Sequence, residues 1–145
     1  ECETAVAYGP NTFIDLGITN SRWGWYQKVD QLGVTYSTNV YAGAAQNDIE
    51  NNGYLVGTLT FGLTEEAGQT CLSASVSQRN GWIFEESQLW FGAYAPDTVA
   101  FGQWPARHEG LGGVAEDTYR LCGDGTLAEL GAAFVALHMV ACPGS

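Results

Sequence analysis

Four cysteines and two histidines are the residues with the most restrictive chemistry in this 145-residue chain. Cys2, Cys71, Cys122 and Cys142 include no Cys-x-x-Cys pair, so neither a thiolate zinc site nor a dithiol redox site is indicated. An even count suits two disulfides and an oxidising compartment, and therefore a secreted, extracellular or cell-surface protein. His108 and His138 could meet as a copper or zinc pair, but two ligands alone make a weak site. A histidine in the apolar run Leu137-His138-Met139 reads first as a hydrogen-bonded core residue. Asp48 and Glu50 lie in an oxygen-rich stretch that would suit calcium, yet the Asp-x-Asp-x-Asp-Gly order is missing. A solvated connection is the simpler reading, and no cofactor is expected.

Nucleophile chemistry finds little support. There is no Gly-x-Ser-x-Gly elbow, no spare thiol once the cysteines pair, no second histidine after His108-Glu109 for a metalloprotease helix, and no phosphate-binding glycine loop. Glu65, Glu66, Glu85 and Glu86 could supply a glycosidase pair, as any acidic β-protein could. The expectation is a protein that is not an enzyme.

Five tryptophans offer a different chemistry, since indole faces stack on the C–H faces of sugars. Trp23 and Trp25 alternate onto one side of Arg22-Trp23-Gly24-Trp25-Tyr26, and Trp82, Trp90 and Trp104 extend the set of candidate binding residues. The competing reading places them in the core, where tryptophan usually buries most of its large area.

Charge narrows the partners. Sixteen acidic groups face five basic ones, a formal net charge of −11, and the five cations are scattered singly. Nucleic acid is therefore not expected, because phosphate binding needs clustered cations. No run of 18 apolar residues exists to insert into a membrane. Charged residues make up only 14%, so much of the surface must be uncharged. The chain starts at Glu1, as a protein does after signal removal.

The elements that must position these residues are strands. Val34–Ala42, Leu55–Leu63 and Cys71–Ser77 alternate apolar and polar side chains with period two, which predicts an antiparallel meander. In the second of these, Leu55, Leu59, Phe61 and Leu63 form the predicted apolar face, with Val56 opposite. Earlier strands are expected at Cys2–Tyr8 and Thr12–Leu16. Trp82–Phe84 and Gln88–Tyr94 read as two strands broken at Glu85-Glu86, after the strong turn signal Asn80-Gly81. Pro105 implies an edge strand or extended loop in Phe101–His108. Asp117–Cys122 is a further strand, Thr126–Leu130 reads as a single helical turn, and Ala132–Ala141 reads as a buried strand, with a short helix as the rival. One domain spanning residues 1–145 results: an all-β, two-sheet antiparallel sandwich of jelly-roll type, clipped by disulfides.

Several short stretches resemble a secreted module of bacterial surface proteins to which no established activity attaches. They are Cys2-Glu3-Thr4-Ala5, Arg22-Trp23-Gly24-Trp25, Tyr41-Ala42-Gly43-Ala44, Gly102-Gln103-Trp104-Pro105 with His108, and His138-Met139-Val140-Ala141-Cys142. Members of that module carry further cysteines near the positions of Phe13 and Asn47, whereas this chain has Cys71 and Cys122 instead. The functional expectation is a non-enzymatic extracellular structural or adhesive protein, a surface or filament subunit whose partners are copies of itself. The alternative is a carbohydrate-binding module that presents tryptophan to polysaccharide.

Four cysteines allow three pairings. Cys2 opens the first strand and Cys142 closes the last, while Cys71 opens a meander strand and Cys122 closes a later one. Antiparallel neighbours would bring each such pair together, so Cys2–Cys142 and Cys71–Cys122 are predicted over Cys2–Cys71 with Cys122–Cys142.

Overall fold

The computed structural model describes residues 1–123 and 132–144. Among the described residues there are ten strands: β1 (Glu3–Ala7), β2 (Asn11–Thr12), β3 (Trp25–Val29), β4 (Thr35–Ala42), β5 (Tyr54–Glu66), β6 (Gln69–Gln78), β7 (Trp82–Gly92), β8 (Ala106–His108), β9 (Glu116–Cys122) and β10 (Ala133–Pro143). Every strand pairing is antiparallel. Among the described residues two α-helical turns, α1 (Phe13–Leu16) and α2 (Ile49–Asn52), and two 3-10 turns, Ala45–Asn47 and Phe101–Gln103, interrupt them. The helical turn expected at Thr126–Leu130 lies outside the described residues.

Hydrogen bonding does not divide these strands into the two sheets expected from sequence. They form one sheet in the order β2-β3-β10-β1-β4-β5-β6-β9, with β7 branching from β10 and carrying β8. The branch exists because β10 is long enough to take β7 along one edge and both β1 and β3 along the other. The sheet then curls until its halves face each other. Leu59, Phe61 and Leu63 of β5 and Leu72, Ala74 and Val76 of β6 share one core with Leu89 and Phe91 of β7 and Leu137 and Met139 of β10.

Two bulges set the register. Val40 pairs with Gly57 and Tyr41 with Leu55, so Val56 is an extra residue in β5. That reverses the predicted alternation: Val56 enters the core and Leu55 does not. Gly57 is needed there, since an added Cβ would lie 3.2 Å from the Phe84 ring and 3.1 Å from the Ser77 carbonyl. The second bulge explains Glu85-Glu86. Val140 pairs with Glu86 and Ala141 with Phe84, leaving Glu85 as the extra residue within one continuous strand rather than in a break between two.

Other expectations also change. Thr12–Leu16 is not a strand: the Thr12 hydroxyl accepts from the Asp15 amide at 3.0 Å and caps α1, and Gly17 closes the turn at φ 87°. Asn80-Gly81 turns the chain without making a hairpin, because β6 pairs with β5 and β9 while β7 pairs with β10 and β8. It carries the chain from one half of the curled sheet to the other.

Cys2 is bonded to Cys142 and Cys71 to Cys122, the latter pair directly opposite in the β6–β9 register. Two disulfides are a mark of proteins outside the reducing cytoplasm. No helix among the described residues is long and apolar enough to cross a membrane. Replacing Cys2 and Cys142 together by alanine is expected to lower unfolding stability by on the order of 4–5 kcal/mol. Urea denaturation of the oxidised protein and the variant checks this; equal midpoints would show that the terminal bridge constrains nothing.

Candidate functional site

The sequence candidates separate onto two faces of the sheet. Ser87 and Gln88 are adjacent in β7 and point to opposite sides, Ser87 opposite His108 and Gln88 opposite His138. The two histidines therefore lie on different faces and do not form the metal pair considered from sequence. Asp48 is engaged as the cap of α2, accepting from the Asn51 amide at 3.2 Å and the Asn51 side chain at 2.8 Å, and Glu50 is exposed. Among the described residues no group of three or more His, Cys, Asp or Glu side chains is placed to hold a metal ion.

On the outer face of β10, the segments around α1, α2 and Trp104 cover a second core of Val6, Phe13, Trp25, Ala44, Trp104 and Ala136. Here the tryptophans find their places. Trp25 and Trp104 are 3% and 1% exposed, and Trp23, Trp82 and Trp90 are half-buried. Trp23 meets Trp25 at 68° and Trp90 meets Trp104 at 73°, edge to face. Gly24 is the reason Trp23 and Trp25 can flank one another: its φ is 143°, and a Cβ there would fall 2.4 Å from the Phe13 ring. Among the described residues no two tryptophans form an exposed coplanar pair, so the stacking platform considered from sequence is not assembled.

His138 sits on this face beneath Phe101, with ring centroids 3.8 Å apart. Its Nδ1–H donates to Gln88 Oε1 at 2.6 Å, and the Gln88 amide in turn donates to Glu86 at 3.0 Å, which fixes the orientation of the amide. Burial, reinforced by the charge of Arg22, pushes the imidazole down to about 4.

The inner face holds a polar cluster that sequence reading missed: Ser87, His108, Asp117 and Tyr119. Ser87 Oγ donates to Asp117 Oδ2 at 2.5 Å, and His108 Nδ1–H donates to Asp117 Oδ1 at 2.8 Å. The Tyr119 hydroxyl is 2.7 Å from Ser87 Oγ, and its ring stacks on His108 with centroids 4.0 Å apart. The order matters chemically. A nucleophilic serine needs imidazole against its hydroxyl, whereas here the carboxylate stands between serine and histidine, and Ser87 is 0% exposed. The cluster acts as a stitch, tying β7 and β8 to β9 through side chains. Of its members only His108 is singled out by the sequence, as a weak metal-ligand candidate, while Asp117 is a carboxylate at an inward position of β9.

That stitch spans a gap between two strands, β8 and β9, that do not pair with each other. At the two ends of the β6–β9 pairing the Gln78 amide donates to the Ala115 carbonyl at 2.9 Å and the Gly123 amide to the Thr70 carbonyl at 2.8 Å. By antiparallel alternation, residues 117, 119 and 121 exchange main-chain bonds with β6, and Thr118 and Arg120 turn theirs to the other edge. No described strand pairs with that edge. Opposite it, β8 pairs only with β7. Between Pro105–His108 and Thr118–Leu121 runs a polar cleft of about 480 Å³. Arg107, Arg120 and His108 line it, so two of the five basic side chains gather at the seam.

Two pH responses follow. An imidazole held at about 4 in the fold and at 6.5 when unfolded favours the unfolded state as it protonates. Stability is thus complete above pH 6.5 and falls by up to about 3 kcal/mol toward pH 4. Thermal unfolding across that interval should show a flatter profile for His138→Gln. Burial, then the neighbouring Asp117 charge, pushes Tyr119 up to about 12 from 10.0. Its contribution is present below pH 10 and lost as pH rises to 12, so ultraviolet titration of Tyr119→Phe should lack the last phenolate to form. Comparison with protein-family models, with curated proteins and with solved structures finds no match to this chain.

Proposed function

We propose that this protein is a non-enzymatic extracellular structural or adhesive subunit that joins copies of itself by strand addition at the seam between β8 and β9. The observation that carries the reading is the unpaired main-chain edge of Thr118 and Arg120 facing a cleft of about 480 Å³. Exposed strand edges template pairing with another chain, and proteins that do not use them usually blunt them. This edge carries no proline, and the β6–β9 register shows no bulge.

Electrostatics supports the same site. Copies carrying a net charge of −11 repel one another, so contact is least costly where Arg107 and Arg120, paired with Glu109 and Glu66 of their own chain, offset the acidic excess. The β5–β6 hairpin tip, with Glu65 and Glu66 exposed, offers acidic partner groups on a second copy. Arg120 already pairs with Glu66 of its own chain. A two-fold meeting of β9 with β9 would give a closed pair, and a meeting of β9 with a different edge would give a filament.

Light scattering and negative-stain microscopy of the native protein should show dimers or filaments that dissociate as salt is raised. Thr118→Pro removes an outward amide while sparing the β6 ladder, and should leave monomers with unchanged circular dichroism. A monodisperse wild-type monomer at high concentration and low salt would overturn the reading.

A further inference from the structure

The half of the sheet not covered by the aromatic second core is bare on its outer face, and its side chains there are hydroxyls in register. Ser37, Thr60, Ser75 and Thr118 stand opposite one another across β4, β5, β6 and β9. The neighbouring row is Thr35, Gly62, Ser73 and Arg120. Strands lie about 4.8 Å apart and same-face residues about 7 Å apart along a strand, so the hydroxyls form a regular grid.

The grid is not flat. At Gly62 the absent side chain lets the main chain of Val34 close in, so that an added Cβ would lie 2.7 Å from the Val34 carbonyl. A groove of about 500 Å³ runs across the four strands at this point, within the usual size range of small-molecule sites. Among the described residues no partner takes up the hydroxyls of Thr35, Thr60, Ser73, Ser75 or Thr118. Arg120 is the only ionisable cation in the lining, and Glu66 neutralises it.

We infer that this groove is a binding site for an uncharged polysaccharide chain. The argument is one of charge and of hydrogen-bonding type. A chain of net charge −11 repels anionic polymers, and a groove without a free carboxylate gives a cationic polymer nothing to pair with. What remains is a neutral ligand dense in hydroxyl groups. Threonine and serine can both donate and accept, as sugar hydroxyls do, while the threonine methyls and Val34, which is exposed in the same lining, offer apolar surface to the C–H faces of the rings. The strand spacing is close to the length of one pyranose unit in an extended chain, so successive sugars can meet successive strands. No tryptophan lines this groove, which sets the site apart from an indole platform.

The test is amide chemical-shift mapping of monomeric protein titrated to millimolar cellohexaose, xylohexaose, chitohexaose and maltohexaose, with hexagalacturonate as the anionic control. Saturable shifts at residues 35, 60, 62, 73 and 75 with at least one neutral sugar, and unchanged tryptophan emission, are expected. Thr35→Val, Thr60→Val, Ser73→Ala and Ser75→Ala combined remove the hydroxyls, keep the shape and leave the β8–β9 seam intact, and should weaken binding at least tenfold with little change in melting temperature. Absence of shifts with all four sugars overturns the inference, as does equal binding of hexagalacturonate or of the hydroxyl-free variant. Shifts at these residues that follow protein concentration without sugar would also overturn it, and would assign the face to a second copy.

Discussion

A strand buried on both faces needs a cover on each, and β10 imposes that requirement on everything around it. Val135, Leu137, Met139 and Ala141 enter the main core while Ala136 packs in the second and His138 beside it, so the middle of the strand, from Val135 to Met139, is buried on both sides. Along its edges it is also fully used, by β7 on one side and by β1 and β3 on the other. The curl of the sheet supplies the inner cover, and the loops carrying Phe13, Trp25 and Trp104 supply the outer one. The Cys2–Cys142 bridge holds β1 against the end of β10, where terminal strands would otherwise fray.

The same constraint explains where polarity is permitted. One buried imidazole on β10 is tolerated because Gln88 accepts its proton-bearing nitrogen and Glu86 holds Gln88 in place. Among the described residues no buried side-chain nitrogen or oxygen lacks a partner. Asp117 satisfies the same rule on the inner face, where Ser87 and His108 both donate to it. Hydrogen bonds to a buried charge contribute roughly 1.5–3 kcal/mol each, enough to hold β9 near β7 without a main-chain ladder. A side-chain stitch leaves the strand edges unpaired, and that is the physical origin of the seam.

Beyond the reach of β10 the outer face needs no cover, and the strands there carry serine and threonine. The protein thus has three surface characters in one sheet: an aromatic-lined covered half, a neutral hydroxyl half, and a cation-lined seam between β8 and β9. Acidic residues pair with the basic side chains of that seam, Glu66 with Arg120, Glu109 with Arg107 and Asp117 with His108, and others are exposed, as Glu65 is on the hairpin tip and Glu50 on its loop.

Period-two alternation in Leu72–Ser77, with no charge to disrupt it, was sufficient by itself to determine an antiparallel strand with a core face and a serine face. The cysteines at strand ends were equally legible, because antiparallel neighbours bring opposite ends into register. The bulges at Val56 and Glu85 were not, since an extra residue is defined only by the partner strand it fails to match. Nor was the turn at Asn80-Gly81 readable as a crossing between halves, because a tight turn dictates local backbone and leaves open which strands then pair. The roles of Ser87, Asp117 and Tyr119 depended on contacts 30 and 32 residues apart in sequence, and that of His108 on a contact 9 residues away between two different strands, which no local pattern encodes. The single curled sheet, the burial of the indoles and the register of the hydroxyl grid were decided by long-range pairing, which is the part of the free energy that only the assembled tertiary structure contains.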